Sequence, residues 1–272
     1  MGIAKADFIE GMAKGLAVLE SFDTERQRLN ATLAAQRAGI TRAAARRHLL
    51  TLAHLGYLET DGSYYWLSPK VLRFSGSYLA SARLPRALQP TLNRLAAQTS
   101  GSFSAVVLDG SEVVIVARSV ALQDTDFYGS SLGAPPRQVN TPRVLAYGLH
   151  LGARLPAHAT STGRVLLAAM DRSALAAWLK QHSLYRVTPH TLTDAKAFRA
   201  LLTQVRAQDH CVAHEEHEMG VHAVAVPLRN QQGQTVAALN VVTTAARLSP
   251  AAIAGHWLPL LHDAAREVRP LL

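Results

Sequence analysis

The 272 residues carry 28 Lys and Arg against 19 Asp and Glu, for a formal charge of +9 and a pI near 10.1; this favours a polyanionic partner but suits a basic enzyme nearly as well. No apolar run reaches the roughly 18 to 20 residues that span a bilayer, and the N-terminal segment lacks a signal peptide's basic start and continuous apolar stretch, so a cytoplasmic protein with no membrane partner is expected. A single cysteine, Cys211, excludes an internal disulfide framework and a multi-cysteine zinc module, and fits a reducing compartment.

Gly11 to Phe22 (GMAKGLAVLESF) predicts a first helix with Met12, Leu16, Leu19 and Phe22 on its core side. Ala31 to Arg37 reads as a second short helix, Ala38-Gly39-Ile40 as a turn, and Thr41 to His54 as a third helix. Leu33, Ala34, Ile40, Ala45, Leu49 and Leu52 recur at helical spacings or close the turn, which supplies one apolar stripe for a shared core. Thr41 can cap the third helix, and that helix end can meet a phosphate. Arg42 and Arg46 share one face, with Ala43 and Arg47 on a neighbouring one, so this helix offers cations and short side chains together. Between Thr24 and Leu58 there are six arginines (26, 28, 37, 42, 46 and 47) against Glu25 alone, a local balance of 6 − 1 = +5, which is more than half of the chain's formal excess. Leu55-Gly56-Tyr57-Leu58 ends the helix and opens a strand, Asp61-Gly62-Ser63 is a turn, and Tyr64 to Leu67 is a second strand. The pattern is a winged helix-turn-helix, and Thr41, Arg42, Ala43, Arg46 and Arg47 are its candidate DNA contacts.

Beyond the wing, Pro69 to Leu84 predicts a connecting helix, and Pro85 and Pro90 punctuate the start of another with Leu88, Leu92 and Leu95 on one side. Phe103 to Leu108 and Glu112 to Ala117 flank Asp109-Gly110, a strong hairpin signal. Helices follow at Gly163 to Met170, Ser173 to Gln181 and Asp194 to Gln208; strands follow at Cys211 to His214, His222 to Leu228 and Thr235 to Val242; Pro250 to Val268 is a closing helix. Strand pairs interspersed with helices argue an α+β second domain, with helices beside a largely antiparallel sheet. The expected organisation is 1–68 for the winged helix-turn-helix, 69–84 for a linker helix and 85–272 for the second domain.

In Ala159-Thr160-Ser161-Thr162-Gly163-Arg164, hydroxyl residues precede the apolar helix, whose free amides can bind a carboxylate; a plain N-cap explains the same residues equally well. His214, Glu215, Glu216, His217, Glu218 and His222 form an acid-histidine cluster, but His214 and His217 are only three apart and no zinc-protease spacing is present, so no metal is expected. Cys211 near His214, or Ser161 near His158, offers a nucleophile-base pair on paper, yet neither has a nucleophile-elbow sequence or a third member, and no catalytic residue is assigned.

The blocks GMAKGLAVLESF, AGITRAAARRHLLTLAHLGYL, LPAHATSTGRVLLA, HEEHEMGVHAVAVPLRN and GQTVAALNVV occur in an order that resembles the IclR-type transcriptional regulators, closest to their aromatic-acid-responsive branch. The resemblance implies a GAF-like effector-binding fold for the second domain, a homodimer or dimer of dimers on double-stranded promoter DNA at the nucleoid, a small aromatic carboxylate as effector, and no cofactor. It places the effector against Ser161, Thr162, Gly163, Arg164, His214, Glu215, Ala223, Asn240 and Val242. Amides at Ser161 to Gly163 take the anion, and Arg164 either supplies a countercharge or pairs with Glu215 or Glu216. Of the family's polar positions at Ala213, Ala223, Asn240 and Val242, three are apolar here, which suits a ring. Two alternatives remain at this stage: a regulator of the same fold answering to an aliphatic acid, and a small-molecule-processing enzyme with an accessory DNA-binding domain. The interval from Arg118 to Leu155 is longer than the family's usual one, and Phe127 and Tyr128 within it can cap an aromatic ligand or merely decorate the surface.

Overall fold

A computed structural model describes residues 3–23, 26–99, 101–119, 149–243 and 245–272. Phe127, Tyr128 and most of the long interval after Arg118 lie outside the described residues. The chain divides into two compact units, Met1–Ala80 and Ser81–Leu272.

The first unit contains α1 (Glu10–Glu20), α2 (Ala31–Ala38), α3 (Arg42–His54), β1 (Leu58–Thr60), β2 (Tyr65–Leu67) and α4 (Leu72–Ser81), the last entered through a 3-10 turn at Pro69–Val71. Asn30 caps α2 by accepting from the Thr32 and Leu33 amides, and Gly39 ends it in the left-handed region at φ 64°, where a side chain would be strained. Val18, Phe22, Leu29, Ala34, Ala45, Leu49, Leu52 and Leu58 form the core. The expected α1 stripe is only half right. Phe22 is buried and Leu19 partly so, but Met12 and Leu16 are 63% and 53% exposed. Val18 faces the core in their place, and Gly15 lies beside His48 at ordinary contact distance.

The second unit is built on a six-stranded sheet in the order β5-β4-β3-β8-β7-β6, antiparallel throughout. Its strands are β3 (Ser102–Asp109), β4 (Glu112–Arg118), β5 (Arg154–Pro156), β6 (Cys211–His214), β7 (His222–Arg229) and β8 (Thr235–Thr243). Helices cover both faces. On one, α5 (Arg83–Thr99) and α10 (Leu258–Val268) pack Leu88, Leu92, Leu95 and Leu261 against Phe103, Val224, Leu239 and Val241. On the other, α6 (Ser161–Ala169), α7 (Arg172–Gln181) and α8 (Ala195–Gln208) pack Leu167, Trp178, Phe198 and Leu202 against Val106, Ile115, Ala225 and Ala238. Alternation along each strand sorts the two sets, because successive side chains face opposite ways.

Several helix boundaries differ from the sequence reading. The connecting helix stops at Ser81 and Leu84 belongs to α5, which runs through Pro90 without a break. The amide missing at Pro90 costs one helical hydrogen bond, a loss offset by burial of Leu88, Leu92 and Leu95. The closing helix is not uniform: a short helical turn, α9 (Pro250–Ala252), leads into a π-turn at Ile253–Trp257 before α10. Pro259 has no amide to donate and its ring crowds the carbonyl four residues earlier, which the wider turn relieves. Among the described residues no helix is long and apolar enough to cross a membrane.

Leu49 has no solvent exposure, so Leu49→Ala is expected to destabilise the first unit by about 3 kcal/mol, measurable as a lowered urea midpoint in circular dichroism.

Candidate functional site

On the first unit, Thr41, Arg42, Ala43, Arg46 and Arg47 are all exposed along the start of α3. Thr41 stands one residue outside the helix as its cap, accepting from the Ala44 amide at 3.2 Å, which leaves its hydroxyl hydrogen available to an outside acceptor. The other cations of this basic stretch are partly neutralised: Arg28 pairs with Asp61 and Arg37 with Asp23. Arg42, Arg46 and Arg47 form no ion pair among the described residues. Asp61, at the tip of the wing, is a turn residue. It accepts from the Ser63 and Tyr64 amides, and these hold its carboxyl below the usual carboxylate range. Arg28 lies over the Trp66 ring at 4.6 Å, so the wing is braced by a cation-π contact as well as by its ladder.

On the second unit, a cavity of about 590 Å³ including its open mouth lies between the sheet and the start of α6. Its apolar walls include Val106, Ile115, Ala213, Ala223 and Val242; its polar groups include Ser104, Ser161, Thr162 and Asn240. Asn240 lies on the central strand β8, with Ser104 of β3 and Ala225 of β7 as its register partners. Two buried atoms of residues that line this cavity, Ser161 Oγ and Asn240 Oδ1, have no hydrogen-bond partner among the described residues. Leaving such groups unpaired costs about 1 to 3 kcal/mol each, a debt that a ligand carrying matching polar groups would cancel.

Of the effector contacts expected from sequence, Ser161, Thr162, Ala223, Asn240 and Val242 come together at the cavity, and Gly163, Arg164, His214 and Glu215 do not line it. Helix α6 starts two residues earlier than expected, capped by Thr160, whose hydroxyl takes the Gly163 amide at 3.1 Å. Gly163 has a packing role instead: a Cβ there would stand 2.1 Å from the Ala157 carbonyl oxygen. Arg164, 1% exposed, makes a two-pronged ion pair with Glu216 and donates to the His158 carbonyl at 2.9 Å. It is therefore no open countercharge. His214 faces the opposite side of β6 from Ala213 and meets His222 across the ladder, Nδ1 to Nδ1 at 2.9 Å. The Glu215 carboxylate accepts from the Gly220 amide within its own loop. No three His, Cys, Asp or Glu side chains among the described residues are grouped to hold a metal ion.

Neither paper nucleophile has a base. Burial pushes the Cys211 thiol up to about 12, and the His158 ring is engaged with the Tyr185 carbonyl at 2.8 Å, its pKa depressed by burial. Sequence reasoning missed Ser104, which is hidden in an apolar-looking strand, and Thr188 and Thr191, whose hydroxyls hold the Glu216 carbonyl. Their roles come from contacts distant in sequence, and no local pattern announces them.

Residues 11–62 match the IclR helix-turn-helix domain, and residues 137–269 match the C-terminal domain of bacterial transcriptional regulator IclR. The chain is 51% identical over 270 residues to the Pca operon regulatory protein of Acinetobacter baylyi, covering 99% of this chain and 91% of that one. It is also 51% identical over 270 residues to the same organism's p-hydroxybenzoate hydroxylase transcriptional activator, at 99% and 94% coverage. Among solved structures, the inducer-binding domain of the PobR transcription factor from Acinetobacter, a double mutant in complex with 3-hydroxybenzoic acid, is 46% identical with a TM-score of 0.58 and covers 69% of this chain and 98% of that one. A transcriptional regulator from Rhodococcus sp. RHA1 is 37% identical with a TM-score of 0.72 and covers 97% and 98%.

Gly163→Ala is expected to lower the stability of the second unit by at least about 3 kcal/mol, read from its urea midpoint, because the obstructing atoms are backbone and cannot swing away.

Proposed function

The chain belongs to the IclR family of bacterial transcriptional regulators, and on that premise we propose that it binds promoter DNA through α3 and is switched by a small aromatic carboxylate held between α6 and the sheet. The observation that carries the effector reading is the pair of buried atoms without a partner among the described residues, Ser161 Oγ and Asn240 Oδ1, on two residues that line one largely apolar cavity. Glu216 is neutralised by Arg164, so the anion is taken by the helix end. Ser161 and Thr162 present first-turn amides there, the Ser161 hydroxyl adds a donor, and the α6 dipole favours negative charge. The ring lies against Ala223 and Val242, and Asn240 Oδ1 accepts from a ring hydroxyl. Hydroxybenzoates, which figure in the names of the activator and the inducer-binding domain described above, have both features. A short aliphatic acid would leave the apolar walls wetted.

Thr41, Arg42, Ala43, Arg46 and Arg47 form the DNA-reading surface, with 1–68 as the winged helix-turn-helix, 69–84 as the connection and 85–272 as a GAF-like effector domain. The protein works as a homodimer or a dimer of dimers, since one recognition helix buries too little groove surface for high specificity. The exposed apolar side chains of α1 (Met12, Leu16) and α4 (Leu72, Phe74) suit burial against a second copy. It acts on the nucleoid in the cytoplasm. Membership in this family makes it a DNA-binding regulator and not an enzyme, and effector and operator affinities are reciprocally coupled.

Replacing Arg46 and Arg47 by Ala is expected to weaken operator binding. The logarithmic salt slope should fall by about 0.9 for each lost phosphate contact, or base discrimination by about 1 to 3 kcal/mol for a lost base contact. Footprinting with unchanged affinity and sequence preference would refute the assignment. In calorimetry, 3- and 4-hydroxybenzoate are expected to bind more tightly than benzoate by about 1 to 3 kcal/mol, a preference that Asn240→Leu removes. Binding of aliphatic acids alone, or aromatic binding that leaves operator affinity unchanged, would overturn the switch.

A further inference from the structure

A second concavity lies on the second unit between α7 and α8, about 750 Å³ including its open mouth. The two helices present matched side chains to it: Arg172, Leu175 and Leu179 from α7, and Arg199, Leu202 and Arg206 from α8, each set at i, i+3 and i+7. Leu202 is buried and Leu175 and Leu179 are half-buried, so the floor is apolar; the three arginines are exposed and form the rim. None of them meets a carboxylate. Arg206 donates to the carbonyls of Ala168 and Met170 at the end of α6, and Arg172 and Arg199 form no ion pair among the described residues. Neither helix contains an acidic residue. The nearby carboxylates are already engaged: Asp171 and Asp194 cap the helices by accepting from the Ala174 and Ala197 amides, and Asp209 is paired with Arg229.

We propose that this groove docks an acidic amphipathic helical segment of a protein partner, with its carboxylates on the arginine rim and its apolar side chains on the leucine floor. The furrow between the two helices offers a place for a third, and the guanidiniums of Arg172 and Arg199, which form no ion pair among the described residues, select a carboxylate-bearing occupant. A nucleic-acid backbone would meet the cations but has nothing to bury the leucines. A small anion would need no floor. The inference rests neither on what the cavity beside α6 binds nor on how α3 meets DNA.

The test is fluorescence anisotropy of the full chain with a labelled synthetic helix of about five turns, leucine on one face and glutamate on the other. Binding is expected, and Arg172→Glu with Arg199→Glu should weaken it roughly tenfold or more. Both sites are exposed, and glutamate is a good helix former. Arg172→Gln with Arg199→Gln should act in the same direction to a smaller extent, and an unchanged circular dichroism melt certifies the fold of each variant. No binding, equal binding by the variants, or equally tight binding of polyglutamate or a scrambled peptide would overturn the proposal. Displacement of the peptide by duplex DNA with the same dependence on the two arginines would overturn it as well, by making the groove a nucleic-acid surface.

Discussion

A guanidinium buried to 1% exposure is tolerable only where a carboxylate and carbonyls surround it, and the geometry of the second unit around its cavity is arranged to meet that demand at Arg164. Glu216 must reach in from the loop between β6 and β7 to form the ion pair. That loop is in turn held by Thr188 and Thr191 through its backbone carbonyls and by the Leu192 amide on Glu216 itself. The His158 carbonyl completes the shell from the segment before α6. One buried cation thus ties together three stretches of chain, 158–164, 188–192 and 215–216, that share no local sequence signal, and Glu216 carries this assembly to the cavity wall.

The same arrangement decides the electrostatics of the site. Because Arg164 and Glu216 satisfy each other, the cavity presents hydroxyls and the start of α6 in place of a free cation. Such a site distinguishes ligands by geometry and hydrogen-bond complement more than by charge, since partial charges fixed in the backbone fall off within a turn. Burial also keeps His217, on the cavity wall, biased toward its neutral form, which removes another cation from the ligand's surroundings.

In the first unit charge is apportioned differently. Asp23 and Asp61 each engage an arginine at the side of the helix-turn-helix, while the three arginines at the start of α3 are left for solvent or a partner. Surface pairs of this kind add little stability. Their effect is to confine uncompensated positive charge to one helix face, which is what a polyanion approaching that face would sense.

Much of this was legible in the chain itself. The cap at Thr41, the turn at Gly39, the Asp109-Gly110 hairpin and the apolar spacing of α3 are local, so short stretches of sequence determine them through hydrogen bonding and periodicity. The exposure of Thr41, Arg42, Ala43, Arg46 and Arg47 was readable for the same reason, because exposure of a polar helix face follows from burial of the opposite one. What the tertiary structure had to settle was every question involving distant residues: that α1 turns Val18 inward and Met12 and Leu16 outward, that Arg164 chooses Glu216, and that His214 faces away from the cavity. Ser104 meets Asn240 only because β3 pairs with β8, a contact between residues far apart in the chain whose register depends on the packing of both faces of the sheet, which no local pattern encodes.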